Sequence, residues 1–137
     1  MGEAVEPFPS VHYTTRAGRC CMRYDKNMPE ELIPIFRVKD GYKAAEWYAR
    51  LGFSVEGEHR FAPGLPLYLF LRRGPMSLHL SEHEGDARPH TLVYMWVHDL
   101  DEIATEFGVK VVKQPWAREV QLTDPDGNRL RIGEGVV

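Results

Sequence analysis

Ile33-Pro34-Ile35-Phe36-Arg37-Val38 and, later, Thr91-Leu92-Val93-Tyr94-Met95-Trp96-Val97 are the stretches that organise this chain. Each reads as an apolar strand that runs into a charged break and then a short amphipathic helix. The first passes Asp40 and enters a helix from Tyr42 to Leu51. The second passes Asp99 and Asp101 and enters a helix from Glu102 to Phe107. More strands follow each helix. Repetition inside a chain decides its architecture, because each copy is one supersecondary unit. The expected fold is α+β: two βαβββ units, residues 32–83 and 90–134, that curl around a groove able to hold a ligand.

Outward from those stretches the local pattern is consistent. Ala44, Ala45, Trp47, Tyr48 and Leu51 fall at helical spacing, and Gly52 stands where a helix C-terminal glycine belongs. Phe53 to Arg60 reads as a strand, Ala62-Pro63-Gly64 as a turn and Leu67 to Leu71 as a continuous apolar strand. Arg73-Gly74-Pro75 turns the chain into Met76 to Glu82, which alternates. Glu84 to Pro89 is a polar connector between the units. The second unit continues with strands over Val109 to Val112 and Arg118 to Thr123, a turn at Asp124-Pro125-Asp126-Gly127-Asn128, and a last strand from Arg129 to Gly133.

Composition bounds the function. A chain of 137 residues is one domain, long enough to bury a core without staples. Residues 1–28 show no sustained period and read as an N-terminal extension. The domain proper is expected over 29–137, and Met28 itself would make a natural start. A net charge of −3 argues against a nucleic-acid partner, which usually demands a basic face, and leans toward a cationic ligand. No apolar run reaches the roughly 20 residues that span a bilayer, and no secretory signal is visible, so no membrane partner is expected. The adjacent pair Cys20-Cys21 fits a reduced, cytoplasmic protein.

Several motifs together carry a family resemblance. Arg37-Val38-Lys39-Asp40, then Trp47-Tyr48-Ala49-Arg50-Leu51-Gly52-Phe53, resembles the opening of the glyoxalase/bleomycin-resistance/dioxygenase (vicinal oxygen chelate) superfamily. Val97-His98-Asp99-Leu100-Asp101, Gln114-Pro115-Trp116 with Arg118-Glu119, and Asp124-Pro125-Asp126-Gly127-Asn128 running into Arg131 resemble its bleomycin-resistance branch. The likeness covers residues 32–134. It implies a half-barrel domain and a homodimer whose grooves are completed across the subunit interface.

The superfamily's metalloenzymes place ligands near the start of each unit's first strand, on a middle strand and on the last strand. The matching first-strand positions here are Ile33 and Leu92, and Arg131 stands where the enzymes carry Glu. Ile and Leu offer no lone pair, and a guanidinium repels a cation. No metal or other cofactor is therefore expected. His79 and His83 share a strand face but stand about 13 Å apart at the usual rise, too far to grip one ion.

What remains is a groove with aromatic walls. The resemblance places Phe61, Tyr94 and Trp116 where drug-binding members present rings. Strand parity independently sets Leu92, Tyr94 and Trp96 on one face. Planar heteroaromatic ligands suit such rings, with core packing as the alternative reading. Glu56, Glu58, Glu82, Glu84 and Asp86 cluster near strand ends, and Glu82 and Asp86 are candidates to attract a cation. Arg131 cuts the other way: on the groove face it needs an acidic partner or an anionic ligand. The stretch Gly108 to Pro115, which would help cover a ligand, is shorter than in the drug-binding relatives, and Ala117 replaces their Gly. The expected function is metal-independent binding and sequestering of a bleomycin-like drug or aromatic metabolite. The alternative is a glyoxalase-type lyase, isomerase or dioxygenase with non-standard metal ligands.

Overall fold

Strand alternation and helix caps, traced in the computed structural model over residues 28–136, produce two units of the same design. Cys20-Cys21, His12 and nearly all of the expected extension lie outside the described residues. The first unit runs β1 (Ile35–Arg37), α1 (Gly41–Arg50), β2 (Ser54–His59), β3 (Tyr68–Arg73) and β4 (Met76–Ser81). The second runs β5 (Leu92–Trp96), α2 (Leu100–Phe107), β6 (Val112–Lys113), β7 (Ala117–Thr123) and β8 (Arg129–Gly135). Each forms a four-stranded sheet, ordered β1-β4-β3-β2 and β5-β8-β7-β6. In each, the first strand lies parallel to the last and the other neighbours are antiparallel.

Element boundaries follow from backbone chemistry. Pro34 has no N–H to give a ladder, so β1 starts at Ile35, although the Pro34 carbonyl already accepts from His79 N–H at 3.0 Å. Asp40 caps α1 by accepting from Lys43 N–H at 3.2 Å. Gly41 then opens the helix one residue before the expected start, at a place without room for a side chain. A Cβ there would meet Leu67 Cδ2 at 2.9 Å. Arg73 donates to the Leu51 carbonyl at the end of α1 and to Asp99 at 2.5 Å, which leaves Asp99 without a side-chain cap bond to α2. The expected strand over Val109–Val112 shrinks to two residues further on. Val109 N–H still bonds Ala104 O at the end of α2, and the hairpin closes at once through Gln114 N–H to Ala117 O, 2.7 Å.

One face of each sheet is covered by its helix. Phe36, Val38, Leu69, Leu71, Leu78 and Leu80 meet Ala44, Ala45, Tyr48 and Leu51 in the first unit, and Met95, Val97, Val120, Leu122, Leu130 and Ile132 meet Leu100 and Ile103 in the second. These form a single cluster across both units. The helices touch directly, with the Trp47 and Phe107 rings 5.1 Å apart and Arg50 paired to Glu106 at 2.9 Å. No helix among the described residues is long and apolar enough to cross a membrane.

The units are joined by a buried polar knot. Asp124, 4% exposed, opens the turn before β8. Its carboxylate accepts from the Tyr48 hydroxyl of α1 at 2.6 Å, from Asp126 and Asn128 N–H at 2.8 and 2.9 Å, and from Asn128 Nδ2 at 3.0 Å. Asn128 Nδ2 also donates to Arg37 O of β1, and its Oδ1 accepts from Thr91 N–H just before β5. Burial, then the charge of Asp124, push the Tyr48 phenol above its ordinary range, so it remains a donor. Asp124→Ala is expected to lower stability by roughly 3–5 kcal/mol in urea unfolding, because several buried donors lose their acceptor together. Tyr48→Phe removes one bond to a charged group and should cost about 1.5–3 kcal/mol. A loss within about 0.5 kcal/mol for Asp124→Ala, typical of a surface change, would show that the knot does not hold the units.

Candidate functional site

The sheet faces turned away from the helices carry the unexplained chemistry. On β5, Val93 and Met95 point to the core, as does Val97 just after it, and Leu92, Tyr94 and Trp96 point outward with 46%, 38% and 54% of their surface exposed. Register then fixes their neighbours. Tyr94 pairs with Arg131 and Trp96 with Gly133 on β8, which pair in turn with Gln121 and Glu119 on β7. Side chains of paired residues share a face, so Tyr94, Trp96, Glu119 and Arg131 meet on one side of the sheet.

Glu119 is the centre of this group. Arg131 donates to its Oε1 at 2.9 Å, and the Tyr94 hydroxyl and Trp116 Nε1 both donate to Oε2, at 2.7 and 3.1 Å. Three donors cover the carboxylate and leave Glu119 only 2% exposed. The Arg131 bond, then the Tyr94 bond, hold Glu119 below the usual carboxylate range, so it stays ionised. The Tyr94 phenol is raised, first by burial and then by its bond to Glu119. Tyr94 reaches β7 by lying across Gly133, where any Cβ would collide with the tyrosine hydroxyl. The Tyr94 and Trp96 rings stand 5.1 Å apart at 59°, and the Arg131 guanidinium lies 5.5 Å from the Tyr94 ring centre.

The first unit carries a different group at matching positions. Ile35 pairs with His79 and Arg37 with Ser81, as Tyr94 pairs with Arg131 and Trp96 with Gly133. On the third strand Tyr68 then corresponds to Glu119, and the Tyr68 hydroxyl lies 2.7 Å from His79 Nδ1. Phe70 packs against both rings, 5.2 Å from Tyr68 and 4.7 Å from His79. Burial lowers His79 to about 4, so the ring is neutral where the guanidinium of Arg131 is charged.

The expected site residues separate. Tyr94, Trp96, Trp116 and Arg131 come together around Glu119, a residue that served at the sequence level only as part of a family motif. Strand alternation with Val120 and Leu122 was the signal that set Glu119 opposite the core. Phe61 stands apart, edge-on to His59 at 4.5 Å, beside a surface hollow it shares with Tyr42, Glu58 and Arg60. Glu82 accepts from Gly41 N–H at 2.7 Å and Leu67 N–H at 3.1 Å, and Asp86 accepts from the Ser81 hydroxyl at 2.5 Å. Glu56 pairs with Arg72 at 3.0 Å, and Glu58 accepts from Tyr42. Each of these four carboxylates already has a partner within the fold.

A cleft of about 230 Å³ lies at the seam between the sheets, lined by Pro34, Phe53, Met76, Val93, Tyr94 and Leu130 among others. Ile33 precedes β1, and Leu92 stands opposite Arg129. Among the described residues no three His, Cys, Asp or Glu side chains gather closely enough to hold a metal ion.

Two tests follow from this geometry. Gly133→Ala should push Tyr94 off Glu119, changing the near-UV circular dichroism of the aromatic group and costing about 1–3 kcal/mol from overpacking. An unchanged near-UV spectrum would show that the ring does not depend on that glycine. His79, held near 4 against 6.5 in an unfolded chain, disfavours folding once the unfolded state takes up its proton. Stability should therefore fall as pH drops from about 6.5 to about 4, and His79→Gln should flatten that slope. His59, also lowered by burial, is present in both proteins, so the difference between them isolates His79. Parallel slopes would rule out this assignment.

Comparison with known proteins agrees with the fold. Residues 21–137 match the family described as glyoxalase superfamily protein. A bleomycin-binding protein complexed with bleomycin is 22% identical, covers 78% of this chain and 99% of its own, and superposes with a TM-score of 0.59. TnmS3, an antibiotic-binding protein from Streptomyces sp. CB03234, is 20% identical over 81% of this chain and 99% of its own, with a TM-score of 0.64. A glyoxalase-related enzyme from Clostridium phytofermentans is 22% identical over 82% of this chain and 100% of its own, also with a TM-score of 0.64. At these identities the likeness establishes the fold alone, and comparison with curated proteins finds no match. With its two βαβββ units and a family match over most of its length, the chain belongs to the glyoxalase superfamily.

Proposed function

We propose that this protein binds and sequesters a planar aromatic small molecule, a drug or a metabolite, in the cytoplasm, without a metal and without chemistry on the ligand. The observation that carries this reading is the group of three rings, Tyr94, Trp96 and Trp116, displayed on one exposed sheet face and held in place by a covered carboxylate. Two of the rings are tied by their polar ends, so their orientation is set before a ligand arrives and little ordering entropy remains to be lost. The positions that chelate metal in the superfamily's enzymes are filled by Ile33, Leu92 and Arg131, and Arg131 is bound to Glu119. Likeness of fold to a bleomycin-binding protein and an antibiotic-binding protein supports the same reading.

A second copy of the chain would complete a groove over this face. Leu32 is 98% exposed, and Leu92, Trp96 and Trp116 are each about half exposed, an apolar display that suits a partner surface. The homodimer belongs to this proposal.

The test is a titration of metal-analysed protein with metal-free bleomycin and, separately, with neutral 2-naphthamide, following Trp fluorescence and heat, with the mass in solution measured alongside. Saturable binding of either compound is expected, unaffected by EDTA, with the protein at twice its chain mass. Trp116→Ala should weaken that binding by about 1–3 kcal/mol, the size of one buried aromatic contact. Absence of saturation by both compounds, or binding that requires a divalent ion, would overturn the reading.

A further inference from the structure

The charge of the outward face of the second sheet points to one class of ligand. Arg129 and Arg131 are two residues apart on β8 and share that face. Arg131 is bound to Glu119. Arg129 is exposed, pairs with Leu92 and Thr123 in the sheet, and has no hydrogen-bonded or ionic partner for its side chain among the described residues. The face thus carries two guanidiniums and one carboxylate, and that carboxylate is already covered by three donors. Across the seam, Glu31 lines the same cleft as Tyr94 and accepts from the Ser77 hydroxyl at 3.0 Å. Glu56, Glu58, Glu82 and Asp86, which would favour a cation, are engaged in the first unit.

Resting on the binding function proposed above, we infer that the ligand is a planar aromatic acid. Its ring lies along Tyr94 and Trp96, and its carboxylate reaches Arg129, the diagonal neighbour of Tyr94 across the β5–β8 pairing. A guanidinium beside an apolar floor suits a carboxylate by geometry, offering parallel N–H donors in one plane. A cation at the same place would face Arg129, with Glu119 already covered by three donors.

The experiment compares three naphthalenes of one shape at low salt: 2-naphthoate, 2-naphthamide and 2-naphthylmethylammonium. The acid should bind about tenfold more tightly than the amide, the worth of one charge-assisted hydrogen bond, and the ammonium more weakly than either. Added salt should narrow the gap between acid and amide. Arg129→Gln should abolish that gap, and Arg129→Lys should retain part of it. If the amide binds and the acid binds no better, or the ammonium binds best, the inference fails and the aromatic binding function stands. If none of the three binds and bleomycin does not bind either, the binding function itself has failed and takes the inference with it.

Discussion

A single buried carboxylate decides how the two halves of this protein face each other. Asp124 collects donors from α1 of the first unit and from its own turn, and Asn128 passes the connection on to β1 and to the start of β5. A buried carboxylate is tolerated only when its lone pairs are satisfied, so the turn, the helix and both first strands must arrive in one arrangement. Hydrophobic burial would hold the units together in many relative positions. The knot selects one of them, and with it the placement of both outward sheet faces.

On those faces the two units use the same positions for different ends. The diagonal pair across the third and fourth strands is Tyr68–His79 in one and Glu119–Arg131 in the other. One is neutral and packed by Phe70. The other is ionic and braces two further rings. Backbone geometry is common to both, so the difference in chemistry rests on a handful of side chains. The acidic side chains near the first unit act inside the fold, as helix-start acceptors and strand partners, and the arginines of the second unit dominate the face where rings are displayed.

Much of this was legible in the residues. Period-two alternation in Leu92 to Val97 separated core from face, and the spacing of Ala44, Ala45, Tyr48 and Leu51 marked α1. The need of Arg131 for an acidic partner was also readable, because an arginine on a half-covered face demands one. Its identity was not, because Glu119 meets Arg131 diagonally across β7 and β8, and that neighbourhood depends on register. The partners of Glu82 and Asp86 were hidden for a related reason. Their charge is visible in the chain, whereas the N–H groups of Gly41 and Leu67 and the hydroxyl of Ser81 that engage them become neighbours only on folding.

The sequence by itself determined the two βαβββ units and the outward rings of β5. These are consequences of local periodicity and of residue chemistry, which do not wait for distant contacts. Only the tertiary structure decided that Glu119 gathers Tyr94, Trp116 and Arg131, that Phe61 stands away from them, and that Arg129 has no ionic partner among the described residues. Those facts depend on which strands pair and in what register. Pairing is a non-local choice, made by the burial of both units against one core and the closing of the Asp124 knot.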